Sequence, residues 1–104
     1  MLLDLSDSIT TKTVNIKTVK HADGLHLEFK PLSARAFLRF QKNMIDSNNT
    51  INDQTVRIME ESVKESCTDP KAWQEFETEI KPAGFVYLQT VEQLFQMISP
   101  QHVN

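Results

Sequence analysis

A chain of 104 residues and 12.0 kDa supplies one small domain and leaves no room for a second catalytic lobe. Eleven Lys plus Arg against fourteen Asp plus Glu give a net charge of −3, a near-balanced surface that disfavours bulk nucleic-acid binding and contains no acidic tail. With 39% apolar and 24% charged residues, the composition is that of an ordinary globular protein with a modest core, for which self-association is an expected supplement.

The first residues, Met1-Leu2-Leu3-Asp4-Leu5-Ser6-Asp7, carry no basic region and no apolar run of signal-peptide length. No stretch approaches the ~20 apolar residues of a membrane span. The single cysteine, Cys67, excludes an intramolecular disulfide and fits a reducing, cytoplasmic setting. Residues 1–11 are expected to form a flexible leader, with Leu2, Leu3 and Leu5 either frayed or covering a neighbouring subunit.

Across 12–30 the signal has period two. Val14, Ile16 and Thr18 precede Asp23-Gly24, and Leu25, Leu27 and Phe29 follow it. Asp-Gly suits a two-residue type I′ turn, because both central residues need positive φ. That turn would pair Ala22 with Leu25 and His21 with His26. It would put Val14, Ile16, Thr18, Leu25, Leu27 and Phe29 on one face and Lys17, His21, His26, Glu28 and Lys30 on the other. A lone hairpin is marginal in water, so later helices or another subunit must cover the apolar face.

Residues 33–99 are expected to be helical. Ser33 is a good N-cap for a first helix over Ala34 to Ile45. Phe37, Leu38, Phe40, Met44 and Ile45 form its apolar sector, and Arg35, Arg39 and Lys42, at i, i+4 and i+7, form a solvent-facing basic stripe. Asp46-Ser47-Asn48-Asn49-Thr50 reads as a loop. A second helix begins near Asp53, with Val56, Met59, Val63 and Cys67 inward and Glu60, Glu61 and Lys64 outward. Asp69-Pro70 restarts a short third helix carrying Trp73, Phe76 and Ile80, since a carboxylate caps orphan N–H groups and Pro at the first helical position has none to satisfy. After Pro82 and Gly84, a last helix over Phe85 to Ile98 is apolar at Phe85, Val86, Leu88, Val91, Leu94, Phe95 and Ile98. It is expected to lie against the hairpin and the first helix. Ser99-Pro100 stops it, and 100–104 frays. The predicted fold class is α+β, mainly α: a single domain, 1–104, with an N-terminal β-hairpin and about four helices.

Few constellations suggest chemistry. A cross-strand His21–His26 pair offers an ion two imidazoles, but zinc normally takes three or four ligands, and neither Cys67 nor His102 has ligand spacing to join them. No metal or other cofactor is expected. Cys67 has acidic neighbours in Glu65 and Asp69, which disfavour a reactive thiolate; a partly buried helical thiol is expected. Glu60, Glu61 and Glu65, or Glu75, Glu77 and Glu79, read as solvated helix faces rather than acid/base pairs. No Gly-rich phosphate loop or nucleophile elbow occurs. The chain reads as a non-enzyme. Arg35, Arg39 and Lys42 are candidates for docking an acidic partner, with a plain solvated face as the alternative. Trp73 and Phe76 are candidates for a partner surface, with the core as the alternative.

The phrase Leu27-Glu28-Phe29-Lys30-Pro31-Leu32-Ser33-Ala34-Arg35-Ala36-Phe37-Leu38 follows a hairpin and opens a helical run. This junction, centred on Leu32-Ser33-Ala34, together with the apolar closing helix, resembles the tail assembly chaperones of long-tailed bacteriophages, including the lambda-type family. The resemblance implies a phage-encoded, non-enzymatic protein located in the host cell cytoplasm. Such a protein binds the tape measure protein, keeps it soluble, recruits tail tube subunits and leaves before the virion is complete. It also implies self-association and, in many members, a longer frameshifted form, to which a chain stopping soon after Pro100 would be the short counterpart. The competing class is a small phage or bacterial interaction module, such as an inhibitor, adaptor or immunity-type protein, that binds one folded partner as a stable monomer. A nucleic-acid regulator would rest on the Arg35, Arg39 and Lys42 stripe alone.

Overall fold

A computed structural model describes residues 11–100. The expected leader, with Leu2, Leu3 and Leu5, and the expected frayed tail lie outside the described residues except for Thr11 and Pro100. Strands β1 (Lys12–Ile16) and β2 (Leu25–Phe29) form an antiparallel pair. Helices α1 (Ala34–Asp46), α2 (Asp53–Ser66), α3 (Pro70–Ile80) and α4 (Phe85–Ile98) follow, with a 3₁₀ turn at Lys81–Ala83. The predicted hairpin-plus-four-helices architecture is the one observed.

The turn is not the predicted one. Ile16 pairs with Leu25, Val14 with Leu27 and Lys12 with Phe29, so the connection is the eight residues Lys17–Gly24. Neither Ala22–Leu25 nor His21–His26 is a cross-strand pair, and His26 lies opposite Asn15. Side-chain-to-backbone bonds inside the loop outcompete a longer ladder. The His21 N–H donates to the Thr18 hydroxyl at 3.0 Å. The His21 carbonyl accepts the N–H groups of Thr18 at 3.1 Å and Gly24 at 2.9 Å. Asn15 Nδ2 donates to the Asp23 carbonyl at 3.2 Å. Gly24 does take a positive φ of 102°, but at the end of this loop. The partner of Leu25 moves by an even number of positions, so the faces survive the slip: Leu25, Leu27 and Phe29 are buried with Val14 and Ile16 packed on the same cluster.

The second edge of β2 is also satisfied. Lys30 N–H donates to the Ser66 carbonyl at 2.8 Å, and Thr68 N–H donates to the Glu28 carbonyl at 2.9 Å. Phe29 and Cys67 face each other across this antiparallel bridge. Cys67 is therefore extended, with φ −69° and ψ 128° at the C-cap of α2, and not helical as expected. The strand's demand for backbone partners overrides continuation of the helix.

The caps explain the helix starts. Ser33 Oγ accepts the Ala36 N–H at 3.1 Å. Asn52 and Thr55 form a reciprocal capping box for α2. Asp69 accepts from the N–H groups of Lys71 at 3.0 Å and Ala72 at 3.3 Å. Between α1 and α2, Asn48 and Asn49 adopt φ of 55° and 61°, a left-handed conformation that Asn tolerates better than most residues.

Three inward faces differ from expectation. In α1 only Ala36 is fully buried, with Phe37 and Phe40 packed against the core, while Leu38 and Ile45 point outward. In α2 the buried face is Thr55, Ile58, Met59, Ser62, Val63 and Ser66, a regular i, i+3, i+4 stripe whose hydroxyl residues the apolar pattern passed over. Ser62 stays satisfied by donating to the Ile58 carbonyl at 2.7 Å. Helix α4 packs most extensively on α2. It reaches α1 through a Phe40–Phe95 ring contact at 4.7 Å, and its terminal Ile98 carbonyl accepts the Leu32 N–H at 3.0 Å.

A chain of aromatic rings ties these layers together. Phe29 meets Trp73 edge-on at 6.3 Å, Trp73 meets Phe76 at 4.9 Å, and Phe76 meets Tyr87 at 5.9 Å. Each such contact adds about 0.5–1.5 kcal/mol beyond area burial.

Candidate functional site

The predicted partner residues separate into two groups. Arg35, Arg39 and Lys42 are all exposed on one flank of α1, as expected. Arg39 leans toward α2, with its guanidinium nitrogens 3.8 Å from Glu61 and 3.8 Å from Glu65. These pairs are long and solvated, so each contributes little, on the order of 0–1 kcal/mol. Trp73 and Phe76 retain only 1% and 0% exposure. The core alternative is the correct one for both, because α3 is short and its start is pinned to β2, which turns its aromatic stripe onto Phe29.

Arg39, Glu61, Lys64, Glu65, Cys67, Pro70 and Trp73 line a shallow groove of about 570 Å³. Its rim carries both signs of charge. Burial, above all, pushes the Cys67 thiol up; Asp69 and Glu28 add to this, and the backbone hydrogen bond at Asp69 opposes it. Such a thiol is a poor nucleophile at neutral pH. Tyr87 is likewise raised, first by burial and then by Glu60, whose carboxylate accepts its hydroxyl. Glu60 is thus a core-edge acceptor and not the free outer-face carboxylate predicted.

The exposed apolar side chains are the surface feature that sequence reasoning missed. On the first turn of α4, Phe85, Val86 and Leu88 remain 71%, 54% and 43% exposed. Leu38 and Ile45 on α1 and Ile51 in the following loop are exposed as well. The available signal was the spacing of Tyr87, Val91, Leu94, Phe95 and Ile98, which defines a complete buried stripe and leaves Phe85, Val86 and Leu88 outside it.

A second missed arrangement fastens the β1–β2 loop to α3. His21 Nδ1 lies 3.0 Å from Glu79 Oε2, and His21 Nε2 lies 3.4 Å from Glu75 Oε2. Lys20 N–H donates to Glu79 Oε1 at 2.9 Å. Glu79 is held below the usual carboxylate range, chiefly by hydrogen bonding from Thr18; desolvation opposes this, and Lys20 and His21 reinforce it. It is not a solvated-face carboxylate. The i, i+4 spacing puts Glu75 and Glu79 on one face of α3, but nothing in the sequence set that face against His21. Among the described residues, no group of three His, Cys, Asp or Glu is placed to hold a metal ion. Nor is any helix among them long and apolar enough to cross a membrane.

Comparisons with protein-family models, with curated proteins and with solved structures give no match.

Proposed function

We propose that this chain is a non-enzymatic assembly chaperone of the tail assembly type, working in the host cytoplasm. It binds helical segments of a tape measure protein, keeps them soluble and helps recruit tail tube subunits. The observation that supports this most is the outward placement of Phe85, Val86 and Leu88 at the start of α4. Large apolar side chains grouped on one helical turn are the kind of surface that accepts the apolar face of an amphipathic helix. The likeness of the Leu32-Ser33-Ala34 junction to that family supplies the client's identity. Exposed Arg35 and Lys42 on α1 offer positive charge, separate from that patch, to acidic positions of the client.

Co-expression with the tape measure protein of the same genetic element tests the proposal. The wild-type chain should keep that client in the soluble fraction. Phe85→Ser combined with Leu88→Ser should lose this effect while keeping a native circular-dichroism spectrum. Equal client solubility with and without the chain would overturn the proposal. So would an affinity capture that returns a single small folded partner and no tape measure or tail tube protein, which is the outcome an inhibitor or adaptor produces. Self-association, the other expectation, would make stability rise with protein concentration.

A further inference from the structure

We propose that the leader, residues 2–9, docks along the outer face of α1 in its own chain. The inference is independent of the chaperone proposal and starts from α1. Arg35, Leu38, Lys42 and Ile45 follow one another at spacings of three and four, which sets them in a single stripe along the helix. That stripe lies opposite Ala36 and Phe40, which α1 turns to the core, and all of its members are exposed. Two large apolar side chains therefore alternate with two cations in solvent. Among the described residues, Arg39 has carboxylates within ion-pair distance, and Arg35 and Lys42 have none.

The leader is complementary to that stripe in composition. Leu2, Leu3, Leu5 and Ile9 are apolar, Asp4 and Asp7 are acidic, and residues 1–11 contain no Lys or Arg. It also joins the domain at the right place. Lys12 pairs with Phe29, so in the antiparallel hairpin the chain before Lys12 heads toward Lys30 and the residues that open α1. Lys12 Nζ donates to the Met97 carbonyl at 2.9 Å, and the Leu32 N–H donates to the adjacent Ile98 carbonyl at 3.0 Å. The root of the leader and the entry to α1 are thus fixed on the same turn of α4. From there residues 1–10 can reach ~33 Å when extended, whereas the stripe from Arg35 to Ile45 is ~15 Å long. The rival apolar surface is Phe85, Val86 and Leu88. Helix α4 carries no Lys or Arg to receive Asp4 and Asp7, and Lys81 just before it already faces Glu60 at 3.9 Å. A docked leader covers Leu38 and Ile45 and neutralises Arg35 and Lys42, so an acidic partner seeking that face must first displace it.

The test is nuclear magnetic resonance on the full, isotope-labelled chain. Nuclear Overhauser contacts should join the methyl groups of Leu2, Leu3 or Leu5 to those of Leu38 and Ile45. Backbone order parameters of residues 3–7 should lie above about 0.6, the bound below which a backbone counts as flexible. Leu38→Ser combined with Ile45→Ser should remove the contacts and drop the order parameters below that bound. Arg35→Glu combined with Lys42→Glu should do the same, and adding Asp4→Arg and Asp7→Arg to that variant should restore both. A wild-type leader below the bound would overturn the proposal, as would leader contacts to Phe85, Val86 and Leu88 in place of α1. A sample of labelled and unlabelled chains refolded together separates contacts within a chain from contacts between chains. Contacts found only between chains would assign the leader to a second copy and overturn the proposal as well. So would a leader whose order is unmoved by the charge reversal. Should the serine variant fail to fold, the wild-type contacts and the charge-reversal series decide the matter.

Discussion

Helices α3 and α4 are joined by the short turn Lys81–Ala83, and both carry aromatic residues near their starts with opposite outcomes. Trp73 and Phe76 of α3 are buried, whereas Phe85 of α4 stands in solvent. The difference lies in how each start is attached. Helix α3 begins at the Asp69 cap, two residues after Cys67 bridges to Phe29, so its first turn is held against β2 and Trp73 falls onto the Phe29 ring. Helix α4 begins at Gly84, which has a positive φ of 63° and no side-chain cap. Its buried stripe starts only at Tyr87. Helix α4 is the more apolar of the two and still leaves Phe85 outside, so the anchoring of the helix start, and not apolar content, decides which side becomes core.

The sharpest way to break this comparison is a pair of truncations. Phe76→Ala should cost about 3–5 kcal/mol, the range for emptying a fully buried aromatic position. Phe85→Ala should stay within about 0.5 kcal/mol, as for other exposed sites. Urea denaturation of both variants measures the difference, and equal losses would refute the assignment of core and surface. A smaller effect is expected at Gly24, where φ is 102° and an added Cβ would collide with the side-chain amide of Asn15. The side chain of Asn15 can swing away, giving up its bond to Asp23, but the backbone strain stays. Gly24→Ala should therefore cost about 1–3 kcal/mol by the same measurement.

The contrast between α3 and α4 also marks how far the sequence could be read. Punctuation was legible: Ser33, Asp69-Pro70 and Gly84 sit at helix starts because their chemistry satisfies or permits those starts whatever the tertiary context. The two faces of the hairpin were legible too, since alternation survives an even register shift. The register itself was not, because Asp23-Gly24 looks like a complete turn until Thr18, His21 and Asn15 are seen to hold a longer loop. Burial of Thr55, Ser62 and Ser66 was illegible for a similar reason: a hydroxyl enters a core only when its local hydrogen bonds allow it, and apolar periodicity carries no such information. Of the candidate site, the basic stripe was placed correctly. Trp73 and Phe76 were ambiguous from spacing alone, and the clasp of His21 by Glu75 and Glu79 required knowing that the loop folds back over α3.

If anchoring is what buries the α3 aromatics, weakening its start should be felt without touching a ring. Asp69→Ala removes the acceptor for the Lys71 and Ala72 N–H groups and should cost about 1 kcal/mol. Near-ultraviolet circular dichroism should show the environment of Trp73 loosening before the far-ultraviolet helix signal is lost. Asn52→Ala, a comparable cap on α2, serves as the control: it should lower stability similarly while leaving the tryptophan signal native until global unfolding.

The far end of α3 gives the mildest prediction, because its tie to the loop is on the surface. Hydrogen bonding, from Thr18 first of all, holds Glu79 below the usual carboxylate range. The unfolded chain therefore binds a proton at this position at a higher pH than the folded chain does. The resulting stabilisation is fully present above the ordinary carboxylate range and is lost as pH falls through the folded value. Glu79→Gln lacks this dependence, so the stability gap between wild type and Glu79→Gln should be widest near neutrality and should close on acidification toward about pH 3. Paired urea titrations at several pH values measure that gap. A gap that stays constant would mean that Glu79 merely packs beneath the loop, and that α3 is tied down only at its Asp69 end.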